Sequence, residues 1–297
     1  MADRPDHFYG GQALLEGVMM RGRDHWAVAV RRPDRSIHVE SHDINPLAKR
    51  YPILGKPGFR GVMALGQALS IGVKALTVSA NQSVEDEERL TPRQMGFSMA
   101  IAFVVFVAVF VVAPYLGFRA FRHAVPSSFL RNLLEGLLRV ALFLGYLVLI
   151  GQMKDIRRVF EYHGAEHKTI AAYEHGDPLE PAAVDRYSTL HVRCGTNFLL
   201  IVMLLAVLVY SFFAVQGLLA GLILRVVTIP VIAGISYELL RLGAKYSDSL
   251  VMRAIMAPGL WLQKITTKPP DRSQIEVAIA SFEEVLRREG KVPSSSD

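Results

Sequence analysis

Only one cysteine, Cys194, occurs among the 297 residues. An intramolecular disulfide is therefore excluded, and nothing hints at an oxidising compartment. The chain carries no P-loop, no Rossmann glycine pattern and no G-x-S-x-G elbow, so none of those nucleotide or acyl-enzyme chemistries is signalled. No apolar h-region follows the polar start Met1-Ala-Asp-Arg-Pro-Asp6, and no cleavable leader is expected. Charge is missing in blocks. Met95 to Phe118 is 24 residues without a charged side chain. At about 1.5 Å per helical residue this crosses a hydrocarbon layer about 30 Å thick.

A second apolar run extends from about Leu133 to Met153. Thr196 to Leu224 is uncharged, and after Arg225 another uncharged stretch reaches Tyr237. The last two are read as a hairpin turning near Gln216-Gly217, which gives four spans. Arg89 and Arg93 precede the first span, Lys154, Arg157, Arg158 and Lys168 follow the second, and Lys245, Arg253 and Lys264 follow the fourth. With four spans these groups share one side, and positive charge marks it as cytoplasmic, so both termini are expected there. Arg119, Arg122 and Arg131 in the first hairpin loop argue the other way. The net charge of +6 fits attraction to anionic lipid headgroups. Contact with RNA, as on a ribosome at the membrane, is the rival reading; no aromatic–basic interleaving favours it, and nothing points to DNA.

The expected fold is mainly α and integral to a bacterial inner membrane. It has about four transmembrane helices, an interfacial helix, a small N-terminal β-hairpin and a cytoplasmic cap. Residues 1–59 form a cytoplasmic segment with the hairpin, whose strands are Trp26–Arg31 and Ile37–His42 around a Pro33–Ser36 turn. Pro46, Pro52 and Pro57 mark an irregular connection. In 60–94 come an amphipathic helix, with Val62, Leu65, Leu69, Val73 and Leu76 on one stripe, and a charged linker. Its uncharged part is short for a span, so it is expected at the interface or packed against the spans. Residues 95–153 form the first membrane hairpin, 154–195 a cytoplasmic loop and 196–243 the second hairpin. The tail, 244–297, holds an interfacial Pro258–Gln263 segment anchored by Trp261 and a helix over Ser273–Glu289. Ser294–Asp297 is expected to be disordered.

The most informative stretch is His163-Gly-Ala-Glu166-His167. Residues i and i+4 share a helical face, so both imidazoles can meet one ion. The order H-x-x-E-H is used by inverted zincins, with the glutamate as general base. His191 and Cys194 close the same loop just before the third span, and H-x3-H with H-x2-C outlines a tetrahedral zinc site. Four protein ligands make a closed, structural site, whereas three leave a position for water beside Glu166. An ion-free hydrogen-bond network is the bland alternative. Glu135 and Arg139 read as an i, i+4 pair, and Arg225 either snorkels or pairs with an acid inside the bundle. Glu238 is a spare carboxylate ligand or a helix-end partner of Arg241. His7, His25, His38, His42 and His175 read as surface residues.

Four motifs, Gly10–Arg21, Tyr162–Thr169, His191–Phe198 and Pro258–Gln263, together resemble a YqhQ-like bacterial multipass membrane family. The resemblance extends over nearly the whole chain. It implies a domain of unknown function, sometimes labelled a predicted metal-dependent enzyme; carried over here, that label concerns His163, Glu166, His167, His191 and Cys194. Valine stands at 192, where many relatives have proline. In Gly10–Arg21, Glu16 and Arg21 either line a site or, as is favoured, form a salt bridge at a tight turn leading into the hairpin. Two functions stay open: a zinc-dependent hydrolase with Glu166 as base, or a non-catalytic assembly factor with structural zinc. The latter would accompany membrane-protein insertion or another membrane complex. A transporter is a third, weaker reading, because few charges lie inside the spans.

Overall fold

The computed structural model describes residues 9–44, 56, 59–85, 89–120, 125, 127–213, 218–246 and 249–291. The Gln216-Gly217 turn, the connection through Pro46, Pro52 and Pro57, His7 and the serine tail lie outside them.

Four strands form an antiparallel meander: β1 (Gly10–Leu14), β2 (Gly17–Arg21), β3 (His25–Arg31) and β4 (Ile37–Asp43). The expected hairpin is β3–β4. Its turn is set by Asp34, whose Oδ1 accepts the Ser36 amide at 2.9 Å, and by Arg35 in the left-handed region at φ 69°. Gly10–Arg21 departs from the expectation, being a second hairpin turned at Leu15-Glu16, with Glu16 at φ 50°. Glu16 and Arg21 thus stand at opposite ends of β2. At about 3.4 Å per residue they are too far apart for a salt bridge. Glu16 instead receives both ends of the Arg158 guanidinium, and Arg21 donates to Gln67.

Ten helices are described: α1 (Phe59–Gln82), α2 (Pro92–Val107), α3 (Ala113–Ala120), α4 (Ser128–Ile150), α5 (Lys154–Glu174), α6 (Pro181–Val184), α7 (Gly195–Ser211), α8 (Leu218–Lys245), α9 (Leu250–Thr266) and α10 (Arg272–Arg288). The sheet is covered on both faces, which explains why β3 is buried along its length rather than alternating. Val18, Met20, Ala27 and Ala29 face α10 and α5, meeting Tyr162, Ala165, Ile275, Ala278 and Phe282. The small alanines let α10 approach closely. Met19, Trp26, Val28 and Val30 point the other way, onto Ile71 and Ala75 of α1.

Among the described residues, four helical stretches are long and apolar enough to cross a membrane: Phe59–Gln82, Arg93–Phe118, Ser128–Ile150 and Ile223–Gly243. Helix α7 is as apolar but has 17 residues, about 25 Å of rise. Although α1 meets the length requirement, its second half is engaged by the sheet: Ile71 and Ala75 are buried there and Ser79 donates to the Leu15 carbonyl. Helix α2 opens on a capping box, Thr91 with Gln94, and Pro92 takes the first turn. Between α2 and α3 the chain makes a π turn, Ala108–Val112. Pro114 has no N–H to offer the Phe110 carbonyl four residues back. Arg139 of α4 donates to that carbonyl instead, at 2.7 Å. Its Nη2 reaches Glu135, as the spacing suggested, and the same carboxylate oxygen also accepts Arg225 at 2.7 Å.

Glu238 is engaged by Arg60 of α1, at 2.6 Å from Nε, and so is not available as a ligand in the His/Cys loop. Trp261 projects outward from α9, 66 % exposed, while Gln263, two residues on, is fully buried. Helix α10 starts from a second capping box, Asp271 with Gln274.

Candidate metal centre

The chain runs from α4 straight into α5 and returns to the apolar helices at Cys194, the N-cap of α7. That connectivity folds the ends of the His/Cys loop together. His163 and His167 lie one turn apart on the buried face of α5, with ring centroids 4.4 Å apart. Cys194 Sγ lies 3.1 Å from His163 Nε2. Among the described residues, the donor atoms of His163, His167 and Cys194 form a group lying within 4.8 Å of one another.

The backbone fixes which nitrogens face that point. His163 Nδ1 lies 2.9 Å from the Thr266 carbonyl and His167 Nδ1 2.6 Å from the Thr189 carbonyl. A carbonyl only accepts, so both Nδ1 atoms carry the proton and both Nε2 atoms present a lone pair. His163 Nε2 accepts the Cys194 S–H, whereas His167 Nε2 is buried with no hydrogen-bond partner among the described residues. Histidines that ligate metals are oriented in this way, by a backbone carbonyl on the opposite ring nitrogen. Tetrahedral zinc with Zn–N near 2.0 Å and Zn–S near 2.3 Å requires N to S separations of about 3.5 Å. The observed 3.1 Å needs only a few tenths of an ångström of opening.

Burial keeps His167 and His191 neutral. It pulls His167 well below the ordinary histidine range, helped by neighbouring His163, and lowers His191 to about 4. Neutral imidazole is the form that binds a metal. Burial also raises the Cys194 thiol, against hydrogen bonds from Thr196; a coordinated cation would remove its proton.

Glu166 is fully enclosed and pushed up to about 8, chiefly by burial. The nearby Cys194 adds to this, while His163 and a hydrogen bond from the Gly11 backbone oppose it. Its Oε2 has no hydrogen-bond partner among the described residues. A Cβ on Gly11 would fall 2.8 Å from the Glu166 carboxyl carbon and 2.6 Å from the Met19 carbonyl, so only glycine lets β1 close over this acid.

His191 stands beside the group. Its ring centroid is 5.6 Å from that of His167, and its Nε2 lies 3.5 Å from Glu174, which also pairs with Arg193. Its backbone is held by Gln263, whose Oε1 accepts the His191 amide and whose Nε2 donates to the His191 carbonyl, both at 2.8 Å. Gln263 Nε2 also reaches Asn197 Oδ1 at 2.9 Å. The sequence presents Pro258–Gln263 as an interfacial segment anchored by Trp261, and the latch is a second role of that segment. A buried glutamine at the end of an apolar helix was the available signal.

The fold and site together define a membrane protein whose apolar helices carry an α/β cap with a His2Cys cluster enclosed beside the first turn of α7. Residues 56–288 match the family described as "Protein of unknown function (DUF1385)", and the chain belongs to that family. It is also 36 % identical over 305 residues to the "Uncharacterized protein YqhQ" of Bacillus subtilis (strain 168), covering 95 % of this chain and 93 % of that one. No solved structure matches it.

Proposed function

We propose that this is a metal-dependent hydrolase of the bacterial inner membrane, with its cap and both termini in the cytoplasm. A zinc ion would sit on His163, His167 and Cys194. The observation that carries this reading is the pair of Nε2 lone pairs converging on one thiol, each oriented by a backbone carbonyl. Three protein ligands leave one coordination position, the arrangement of catalytic rather than structural zinc. Bound there, zinc would supply a Lewis acid that polarises a carbonyl or phosphoryl oxygen. Glu166 would hold and move the proton at its Oε2, which has no other duty in the fold. Its raised proton affinity in the metal-free site would fall beside a cation. The shell of Thr189, Thr266, Gln263 and Gly11 would orient these groups and exclude bulk water.

The second reading is a structural zinc in an assembly factor for membrane proteins, held against anionic lipid by the basic cap. It is favoured by the burial of the cluster and by His191, a further imidazole with its ring centroid 5.6 Å from that of His167. Cobalt substitution of the detergent-purified chain separates the two. An absorption spectrum that changes on adding azide reports an open position and supports hydrolysis. A spectrum indifferent to azide in wild type, becoming sensitive in His191→Ala, reports a closed site and supports the assembly role.

A further inference from the structure

The helix ends remote from the cap carry a second polar cluster that the metal centre does not use. Glu135 and Arg139 come from α4, Arg225 from α8, Tyr115 from α3 and Tyr210 from the end of α7. Its charges do not balance. Glu135 Oε1 is shared by two guanidinium groups, which stay protonated in proteins. Residues 94–153 contain no other carboxylate and residues 186–237 contain none, while Arg131, in the first turn of α4, adds a further positive charge to that helix. An uncompensated cation in a low-dielectric setting is costly and calls for a counter-charge.

The geometry offers a place for one. Arg139 is committed to Glu135 and the Phe110 carbonyl. Arg225 is not fully committed: Nη2 reaches Glu135, Nη1 makes only a long contact of 3.5 Å to the Gly221 carbonyl, and buried Nε has no hydrogen-bond partner among the described residues. Its guanidinium lies under the Tyr115 ring at 4.6 Å. Beside it opens a small cleft of about 30 Å³, open to the surface and lined by Tyr115, Asn132, Tyr210, Gly221, Leu224 and Arg225, among others. Gly221 leaves room there: a Cβ would stand 3.0 Å from the Tyr115 hydroxyl and 3.5 Å from Arg225 Nη1. A planar cation with spare donors suits an oxyanion, and Asn132, held by its Nδ2 on the Tyr210 and Phe213 carbonyls, fixes the wall beside it. The apolar flank, Leu224 and Phe213, suits the glycerol and acyl part of a lipid.

We propose that this cleft binds a phosphate group, carried by an anionic phospholipid or present as the free ion, and that this anion completes the charge balance of Glu135, Arg139 and Arg225. The site is independent of the metal centre.

The test uses the full chain in detergent. Native mass spectrometry follows lipid retained from equal mixtures of phosphatidylglycerol and phosphatidylcholine. Thermal unfolding is read in parallel with inorganic phosphate alone. Arg225→Gln removes the donors, and Gly221→Ala narrows the cleft without touching charge, so it carries the test if Arg225→Gln fails to fold. One phosphatidylglycerol retained by wild type, with at least a tenfold smaller bound fraction in the variants, identifies the lipid. A rise in the wild-type midpoint with inorganic phosphate, absent in the variants, identifies the free ion. Glu135→Gln, which removes the competing carboxylate, should strengthen retention severalfold. Failure of wild type to retain phosphatidylglycerol or respond to phosphate overturns the proposal, as does an equal response in wild type and variants.

Discussion

Replacing Gln263 by leucine should unlock the metal centre without touching a ligand. The two side chains are close in volume, so little is lost in packing. What is lost is the triple contact that joins α9 to the turn before Cys194 and to the first turn of α7: the His191 amide, the His191 carbonyl and Asn197 Oδ1, at 2.8, 2.8 and 2.9 Å. Gln263 and Asn197 are both fully buried, so water cannot replace the missing partners without opening the structure. A buried polar group left unsatisfied costs about 1–3 kcal/mol. Three such groups, with Asn197 still held through its Nδ2 to the Val192 carbonyl, give roughly 3–6 kcal/mol after partial relaxation. The assay is thermal unfolding of the detergent-purified chain, with hydrogen exchange resolved on residues 189–197. Faster exchange in that segment should accompany the lower midpoint. Gln263→Glu, which keeps an acceptor but removes the donor, should also destabilise. A Gln263→Leu protein within about 0.5 kcal/mol of wild type, with unchanged exchange at His191, would refute the reasoning.

Gly11→Ala should destabilise the cap by about 1–3 kcal/mol, because its Cβ meets the Met19 carbonyl and the Glu166 carboxyl; chemical denaturation measures it. Arg139→Met leaves the Phe110 carbonyl orphaned and Glu135 with one cation fewer, and should cost about 3 kcal/mol, read from thermal melts in detergent. His191 has a folded pKa near 4 against 6.5 unfolded, so the unfolded chain takes up its proton first. Its contribution is full above pH 6.5 and lost as pH falls toward 4, about 3 kcal/mol in all. Metal-free His191→Gln should therefore lose less stability than metal-free wild type between pH 6.5 and 4. Phe282→Ala, at the centre of the contact between α10 and the sheet, should cost about 3–5 kcal/mol by the same melts.

Local patterns were legible in the sequence. His163 and His167 are four residues apart on one helix, and helical geometry alone puts them on one face. Their meeting with Cys194 followed from a loop anchored by successive apolar helices. The aim of the His191 ring was not legible, because Glu174 and the latch from Gln263, distant in sequence, decide it. The first β-hairpin was hidden for a related reason. Gly10–Arg21 is rich in glycine, and β2 is buried on both faces, so neither strand shows period-two alternation. Sequence proximity offers Glu16 the nearby Arg21, whereas its partner in the fold is Arg158, 142 residues away. For Arg225 the sequence leaves two readings, snorkelling or pairing with an acid inside the bundle, and the structure shows the second, with Glu135 as the acid. The spacing of α1 spoke for a helix, but its cover by the sheet depended on strands not seen in the sequence.

The most direct measurement is the metal content of the detergent-purified chain, by mass spectrometry, without chelators at any step. Wild type should hold about one zinc per chain, and His167→Ala and Cys194→Ala should each hold far less. Glu166→Gln should hold as much as wild type. A wild type that is folded and stable yet free of metal, and that takes up none when zinc is supplied, would contradict the metal centre and leave His163, His167 and Cys194 as a buried hydrogen-bond network.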